Sequence, residues 1–333
     1  MKQKLRHVWL FFLLATLPFS VWAASTPGST KAVTLSESWE DKQVSPELTE
    51  SQPVHLLLAG DIMLGRYIAT LRQRNGGDFP FSHMPELLKT VEEKLGTDHL
   101  DVVAANLEGP IVEKQVAWGD LVFRFDPEVA PLLKKVGFTL FQMSNNHSYN
   151  QTRAGFTETQ SHLHDAGLDY FGLPDTVSDP SSFISYDFNG TTVGFLGLND
   201  TDFKLDEAAT LAKIKELDAQ VDALIIGIHW GIEYRTQNTA HQQELAHAFI
   251  DSGADFIWGT HPHVVENSEV YNGKTIYYSL GNFVFDQYFS QNVKHGLVLG
   301  LTVTPATSAE QNTTLTAVEI PIELVNGGEP RPQ

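Results

Sequence analysis

The sequence predicts an α/β protein: one large domain of mixed sheets flanked by helices. Three observations predict it. From Pro53 onward, apolar runs of strand length alternate with segments of helical spacing. The second half is richer in strands, with Asn189-Gly190 and Asn272-Gly273 placed as hairpin turns. Five of the apolar runs end in Asp, Glu, Asn or His.

Taken in order, "VHLLLAG" at 54–60 is a continuous apolar run, as expected of a strand buried on both faces. "MPELLKTVEEKL" at 84–95 has helical periodicity, and "LDVVAAN" at 100–106 is a second buried strand. "PEVAPLLKKVG" at 127–137 is a helix stopped by glycine, "FTLFQMSNN" at 138–146 a third strand, and "TRAGFTETQSHLHDAG" at 152–167 a second glycine-stopped helix. Then come the 183–198 hairpin, the strand "DALIIGIHW" at 222–230, a helix near 240–252 and the strand "ADFIW" at 254–258. A hairpin around 272–273 follows, with closing strands "HGLVLGLTVT" and "TLTAVEIPIEL". No fixed-period repeat is present.

Composition narrows the function. The chain has 333 residues, 42% of them hydrophobic, a formal charge of −19 and no cysteine. Thiolate chemistry, disulfides and lipoprotein anchoring are excluded. A surface this acidic repels nucleic acid, so none is expected as a partner. Residues 1–23 read as a signal peptide: Lys2, Lys4 and Arg6, an apolar run to Trp22, and small residues around a cleavage point near Ala23. An uncleaved N-terminal membrane anchor is the alternative. The mature protein is expected to be periplasmic or extracellular. Residues 24–52, rich in Ser, Thr, Glu and Pro, read as a flexible linker. The domain is assigned to 53–327, leaving 328–333 as a tail.

The strand ends carry the chemistry. Asp61 follows the first strand, Glu108 the second and Asn145-Asn146-His147 the third. His229 ends "DALIIGIHW", and His261-Pro262-His263 follows "ADFIW" after Gly259-Thr260. Ligands of open α/β sheets bind beyond the carboxyl ends of the strands, so these clusters are expected to meet there. Carboxylate, amide and imidazole donors suit divalent Mn, Fe or Zn. Pro262 fixes φ between two imidazoles that can face neighbouring ions. Each element also has a plainer reading. Asp61 can close a turn, Glu108 can sit solvated before Gly109-Pro110, the Asn pair can cap a helix, and a single His229 can be structural. The joint pattern is what argues for a site. His162 and His164, inside a helix, point to different faces and read as surface residues.

The motifs "GDIMLGR", "ANLEGPI", "SNNHS", "HWGIEY", "GTHPHVVE" and "YSLGNFVFD" resemble the CapA family of poly-γ-glutamate capsule biosynthesis proteins, within the calcineurin-like metallophosphoesterase superfamily. The resemblance spans about 54–286. It implies a four-layer α/β/β/α sandwich of two mixed sheets with one or two divalent metal ions. It implies Asp61, Glu108, Asn146, His229, His261 and His263 as metal ligands and His147 as the residue beside the scissile group. Two positions depart from the pattern: Met63 stands where the superfamily has a ligand histidine, and Asn150 where CapA-like chains commonly have Asp.

The expected activity is metal-dependent hydrolysis of a phosphoester or of an amide bond in a polyanion such as poly-γ-glutamate. His147 would serve as acid and Arg66 would contact the anion. A surface role is the plainer reading of Arg66. The rival expectation is a non-catalytic accessory subunit beside a membrane polymer synthase. A metal-free structural protein is disfavoured, because Asp61 and Glu108 would repel each other without a cation.

Overall fold

The computed structural model describes residues 52–307 and 312–333. The signal segment, and the linker except its last residue, lie outside the described residues. So the expectation of export rests on the sequence. No helix of the described residues is long and apolar enough to cross a membrane.

In chain order, the elements begin with β1 (Val54–Ile62), α1 (Arg66–Asn75), α2 (Met84–Leu95), β2 (Val102–Leu107), α3 (Val129–Lys135), β3 (Leu140–Gln142), α4 (Thr152–Asp165) and β4 (Asp169–Phe171). They continue through β5 (Phe183–Phe188), β6 (Thr191–Asp200), α5 (Glu207–Asp218), β7 (Ala223–Trp230), α6 (Ala240–Asp251) and β8 (Phe256–Thr260). The chain closes with β9 (Ser268–Tyr271), β10 (Lys274–Tyr277), β11 (Asn282–Val284), β12 (His295–Thr304), β13 (Thr314–Val325) and β14 (Glu329–Pro332).

The strands form two mixed sheets. One runs β14-β13-β12-β1-β2-β3-β4, with β11 also paired to β1; the other runs β5-β6-β7-β8-β10-β9. In the first sheet β1 to β4 are parallel, with β4 at the edge and antiparallel β12, β13 and β14 on the β1 side; in the second, parallel β6, β7, β8 and β10 lie between antiparallel β5 and β9. Three apolar clusters separate four layers. Leu57, Ala59, Val103 and Ala105 pack on the helical side with Leu87 and Leu133. Leu56, Leu58 and Ala104 meet Phe195, Ile225 and Trp258 between the sheets. Leu224, Ile226 and Ile228 pack against Leu245 and Phe249. The α/β/β/α sandwich is therefore present. Alternate residues of one strand bury on opposite sides, which is why these strands read as unbroken apolar runs.

Two expectations need correction. Residues 328–333 are not a tail: Asn326 and Gly327, both at positive φ, turn the chain so that β14 pairs with β13. The strand expected at 254–258 is observed as β8, Phe256–Thr260, so His261 follows it directly.

Candidate metal centre

Parity along the strands aims the polar ends. In β2, Val103, Ala105 and Leu107 face the helices, so Asn106 and then Glu108 face the other sheet. In β7, Ile225 faces the first sheet and Ile226 the helices; His229 shares the parity of Ile225. Asp61 needs a correction of phase. Leu57 and Ala59 face the helices, yet so does Ile62. The register of β1 against β2 slips between Leu58 and Asp61, and this bulge turns Asp61 into the pocket. The slip runs through Gly60, where a Cβ would lie 1.9 Å from the Gly281 carbonyl oxygen. Gly259 is confined in the same way, 1.9 Å from the Tyr278 oxygen.

The result is a cluster at the carboxyl edge of both sheets. Ligand atoms of Asp61, Glu108 and His229 all lie within 4.8 Å of one another, and all three residues are buried. His229 Nε2 stands 3.0 Å from Asn146 Oδ1 and 3.2 Å from His261 Nδ1. Donors about 2.1 Å from a shared ion stand roughly 3–3.5 Å apart, so these three form one pole. His263 defines another. Its Nδ1 lies 3.5 Å from Asp61 Oδ2, and its Nε2 lies 3.8 Å from Glu108 Oε1. His147 Nε2 lies 3.7 Å from the same Glu108 oxygen. His261 and His263 both hold positive φ, at 99° and 59°, a strained backbone for non-glycine residues.

The electrostatics suit cations. Glu108 is 0% exposed and neither carboxylate oxygen has a hydrogen-bond partner. Burial first, and then the charge of Asp61, holds its carboxyl well above the usual range. Burial drives the His229 imidazole far below its ordinary value and brings those of His261 and His147 to about 4. At neutral pH these three rings are uncharged and can offer lone pairs. The carboxylates of Asp61 and Glu108, the carboxamide of Asn146 and the imidazoles of His229, His261 and His263 are a donor set that fits hard-to-borderline divalent ions.

Neighbours choose which ring nitrogen faces the pocket. The Thr260 hydroxyl donates to the Ile228 carbonyl at 3.3 Å and so accepts from His229 Nδ1 at 2.8 Å. The Asn282 amide donates to Gln287 Oε1 and the Val293 carbonyl, leaving Oδ1 to accept from His263 Nδ1 at 3.0 Å. Asn150 Oδ1 accepts from the Phe123 backbone N–H at 2.6 Å and therefore also accepts from His147 Nδ1 at 2.9 Å. The Phe123 ring stacks on His147 at 3.9 Å. Asn106 links Asp61 to Asn145. Sequence reasoning missed Thr260, Asn282 and Phe123. "YSLGNFVFD" contained Asn282, yet nothing local marked it as an orienting residue.

Arg66 forms its ion pair with Asp286 rather than with Asp61 or Glu108. Its guanidinium is paired bidentately with Asp286 and lies over the Phe123 ring at 4.8 Å. Met63 is fully buried, and its sulfur accepts from the Gly65 N–H at 3.2 Å.

Comparisons with known proteins agree with the motifs. A family model described as "Bacterial capsule synthesis protein PGA_cap" matches residues 55–287. The chain is 33% identical over 279 residues to "PGA biosynthesis protein CapA" of Bacillus subtilis, covering 78% of this chain and 71% of that one. It is 30% identical over 272 residues to "Capsule biosynthesis protein CapA" of Bacillus anthracis, covering 75% of this chain and 64% of that protein, less than two thirds of its length. Among solved structures, a novel phosphatase of Mycoplasma pneumoniae aligns with a TM-score of 0.49 and 15% identity, over 81% of this chain and 94% of that one.

Proposed function

The chain belongs to the PGA_cap family of bacterial capsule synthesis proteins, and from that premise we propose that it is an exported, metal-dependent hydrolase. Its substrate in this reading is a phosphoester or an amide bond of an anionic polymer such as poly-γ-glutamate. The observation that carries the proposal is Glu108, buried without a hydrogen bond to either oxygen, beside Asp61 and His229. A buried, unpaired carboxylate next to a second one is costly unless a cation offsets it. Divalent Mn, Fe or Zn bound there would supply Lewis acidity toward a phosphoryl or carbonyl oxygen and make water at the site more acidic.

The chain's own residues orient the substrate and carry the proton. His147 keeps its proton on Nδ1, against Asn150, and presents the Nε2 lone pair to the pocket. In this neutral form it takes a proton at Nε2 before it can return one to a leaving group. Asn150 offers only a dipole to the protonated ring, where Asp would offer a charge. Arg66, tethered by Asp286 and stacked on the ring that packs on His147, contributes positive potential for an anionic substrate.

The test is metal analysis of the purified full chain, with assays on a chromogenic phosphodiester and on poly-γ-glutamate chain length. Turnover that disappears with chelation, and in Asp61→Asn and Glu108→Gln, is the expected result. Bound metal with no turnover on either substrate would support a second reading, a non-catalytic accessory subunit of a membrane polymer-synthase complex. Met63 favours that second reading, because its occupied thioether is a poor ligand for a hard ion.

A further inference from the structure

The donor atoms form two poles of unequal completeness. Around His229 Nε2, the nitrogen of His261 and the oxygen of Asn146 stand at 3.2 and 3.0 Å, and Asp61 and Glu108 offer carboxylate oxygens within 4.8 Å of a ring nitrogen of His229. At the His263 ring, Glu108 stands on the Nε2 side and Asp61 on the Nδ1 side. An ion there would have three protein ligands, two of them shared with its neighbour. Met63 does not fill the gap, since its sulfur is engaged by Gly65.

One further carboxylate faces that pole. Glu233 Oε1 lies 4.0 Å from His263 Nε2. Among the described residues this is the ion-pair contact of Glu233, and no Lys or Arg stands within salt-bridge distance of it. The loop that carries it is held in place. The Tyr234 N–H donates to the Pro262 carbonyl at 2.7 Å, which ties the turn after β7 to the His-Pro-His turn. Tyr234 adopts φ +66° to do so, and Gly231 adopts φ +90° with the Gln242 side chain against it. A non-glycine residue at positive φ is retained where surrounding contacts over-determine it, as at ligand sites. The Tyr234 ring lies 6.0 Å from the His263 ring. A second, independent feature points at the same space: both oxygens of Glu108 are buried and without partners.

We propose that Glu233 is a metal ligand, which completes a cation site with His263, Glu108 and Asp61. The proposal rests on the reading that this pocket binds divalent ions. Its carboxylate occupies the solvent side of the site and supplies the donor that Met63 does not. Because Glu233 is exposed, its side chain can close the remaining distance without repacking the core, and its removal leaves the fold intact.

The experiment is equilibrium Mn²⁺ binding to the full chain, followed by EPR and by metal analysis after dialysis, for wild type, Glu233→Gln and Glu233→His. Wild type is expected to hold two ions with a spin-coupled signal. Glu233→Gln should keep one ion near wild-type affinity, weaken the other at least 10-fold and lose the coupled signal. Glu233→His should recover most of the second site. Two ions bound by Glu233→Gln with unchanged affinity would overturn the assignment. If wild type holds a single ion, unchanged affinity in Glu233→Gln also overturns it, whereas a 10-fold loss supports it. No Mn²⁺ bound by wild type would instead defeat the metal reading itself, and Glu233 with it.

Discussion

Replacing Asn150 by Asp changes a dipole into a charge beside His147 while keeping the accepting oxygen. In the wild-type protein, burial holds the His147 imidazole at about 4, with the Asn150 hydrogen bond opposing that shift only in part. A unit charge about 4 Å from an imidazolium is worth roughly 4 kcal/mol at an effective dielectric of 20, or about 3 pKa units. The amide dipole already supplies some of this, and the new carboxylate must itself be desolvated. A net rise of about 1–3 units follows, to roughly 5–7. The assay is an NMR titration of the His147 ring nitrogens in metal-free protein, which also reports whether Nδ1 carries the proton. The stability consequence has a definite sign. His147 titrates in the fold below its ordinary 6.5, so the unfolded chain takes up the proton first. The fold therefore loses up to about 3 kcal/mol from this group as pH falls from 6.5 through 4, and Asn150→Asp should return a large part of it. A His147 pKa that moves by less than about half a unit in Asn150→Asp would refute the argument, given the 1–3 units expected of an adjacent charge.

Three other outcomes are expected of this protein. Glu266 is 5% exposed, and burial lifts its carboxyl to about 7 although the Gln242 amide donates to it. Its stabilising effect is thus full below pH 4.5 and is lost as pH rises through 7. Glu266→Gln should then be more stable than wild type at pH 8 by up to about 3 kcal/mol and nearly equal at pH 4, measured by urea unfolding. Gly60→Ala places a Cβ 1.9 Å from the Gly281 oxygen, so the bulge that aims Asp61 must shift. A loss above about 4 kcal/mol, a melting temperature lower by roughly 10 °C or more and abolished metal binding are expected by calorimetry and metal analysis. Mn²⁺ at about 1,000 times its dissociation constant should stabilise the wild-type chain by about 4 kcal/mol, reversibly on chelation, as read by thermal unfolding.

Much of the fold was legible because its signals are local. Helix α2 coincides with its periodic segment, and β12 spans the apolar run read for it. The Asn-Gly turns at 189–190 and 272–273 join β5 to β6 and β9 to β10, as their positive φ values require. Helix α1 passed unread because "RYIATLRQRN" buries little beyond Ile68. Strand β14 passed unread because "EPRP", with two prolines, looks unlike a strand until β13 is beside it.

By itself the sequence determined which residue types stand at which strand ends: Asp61, Glu108, Asn146, His229, His261 and His263 are read directly from the order of residues. It also determined that cysteine chemistry plays no part. Tertiary structure alone decided the phase of Asp61, through a register slip against β2 and a backbone contact with Gly281. It alone decided which nitrogen each histidine presents, since Thr260, Asn282 and Asn150 fix those rings by hydrogen bonds. It tied Arg66 to Asp286, 220 residues away, and brought Glu233 over His263. The physical reason is the range of the interactions. Periodicity and turn chemistry act within a few residues, whereas hydrogen bonds and charges act across whatever the fold brings within about 4 Å.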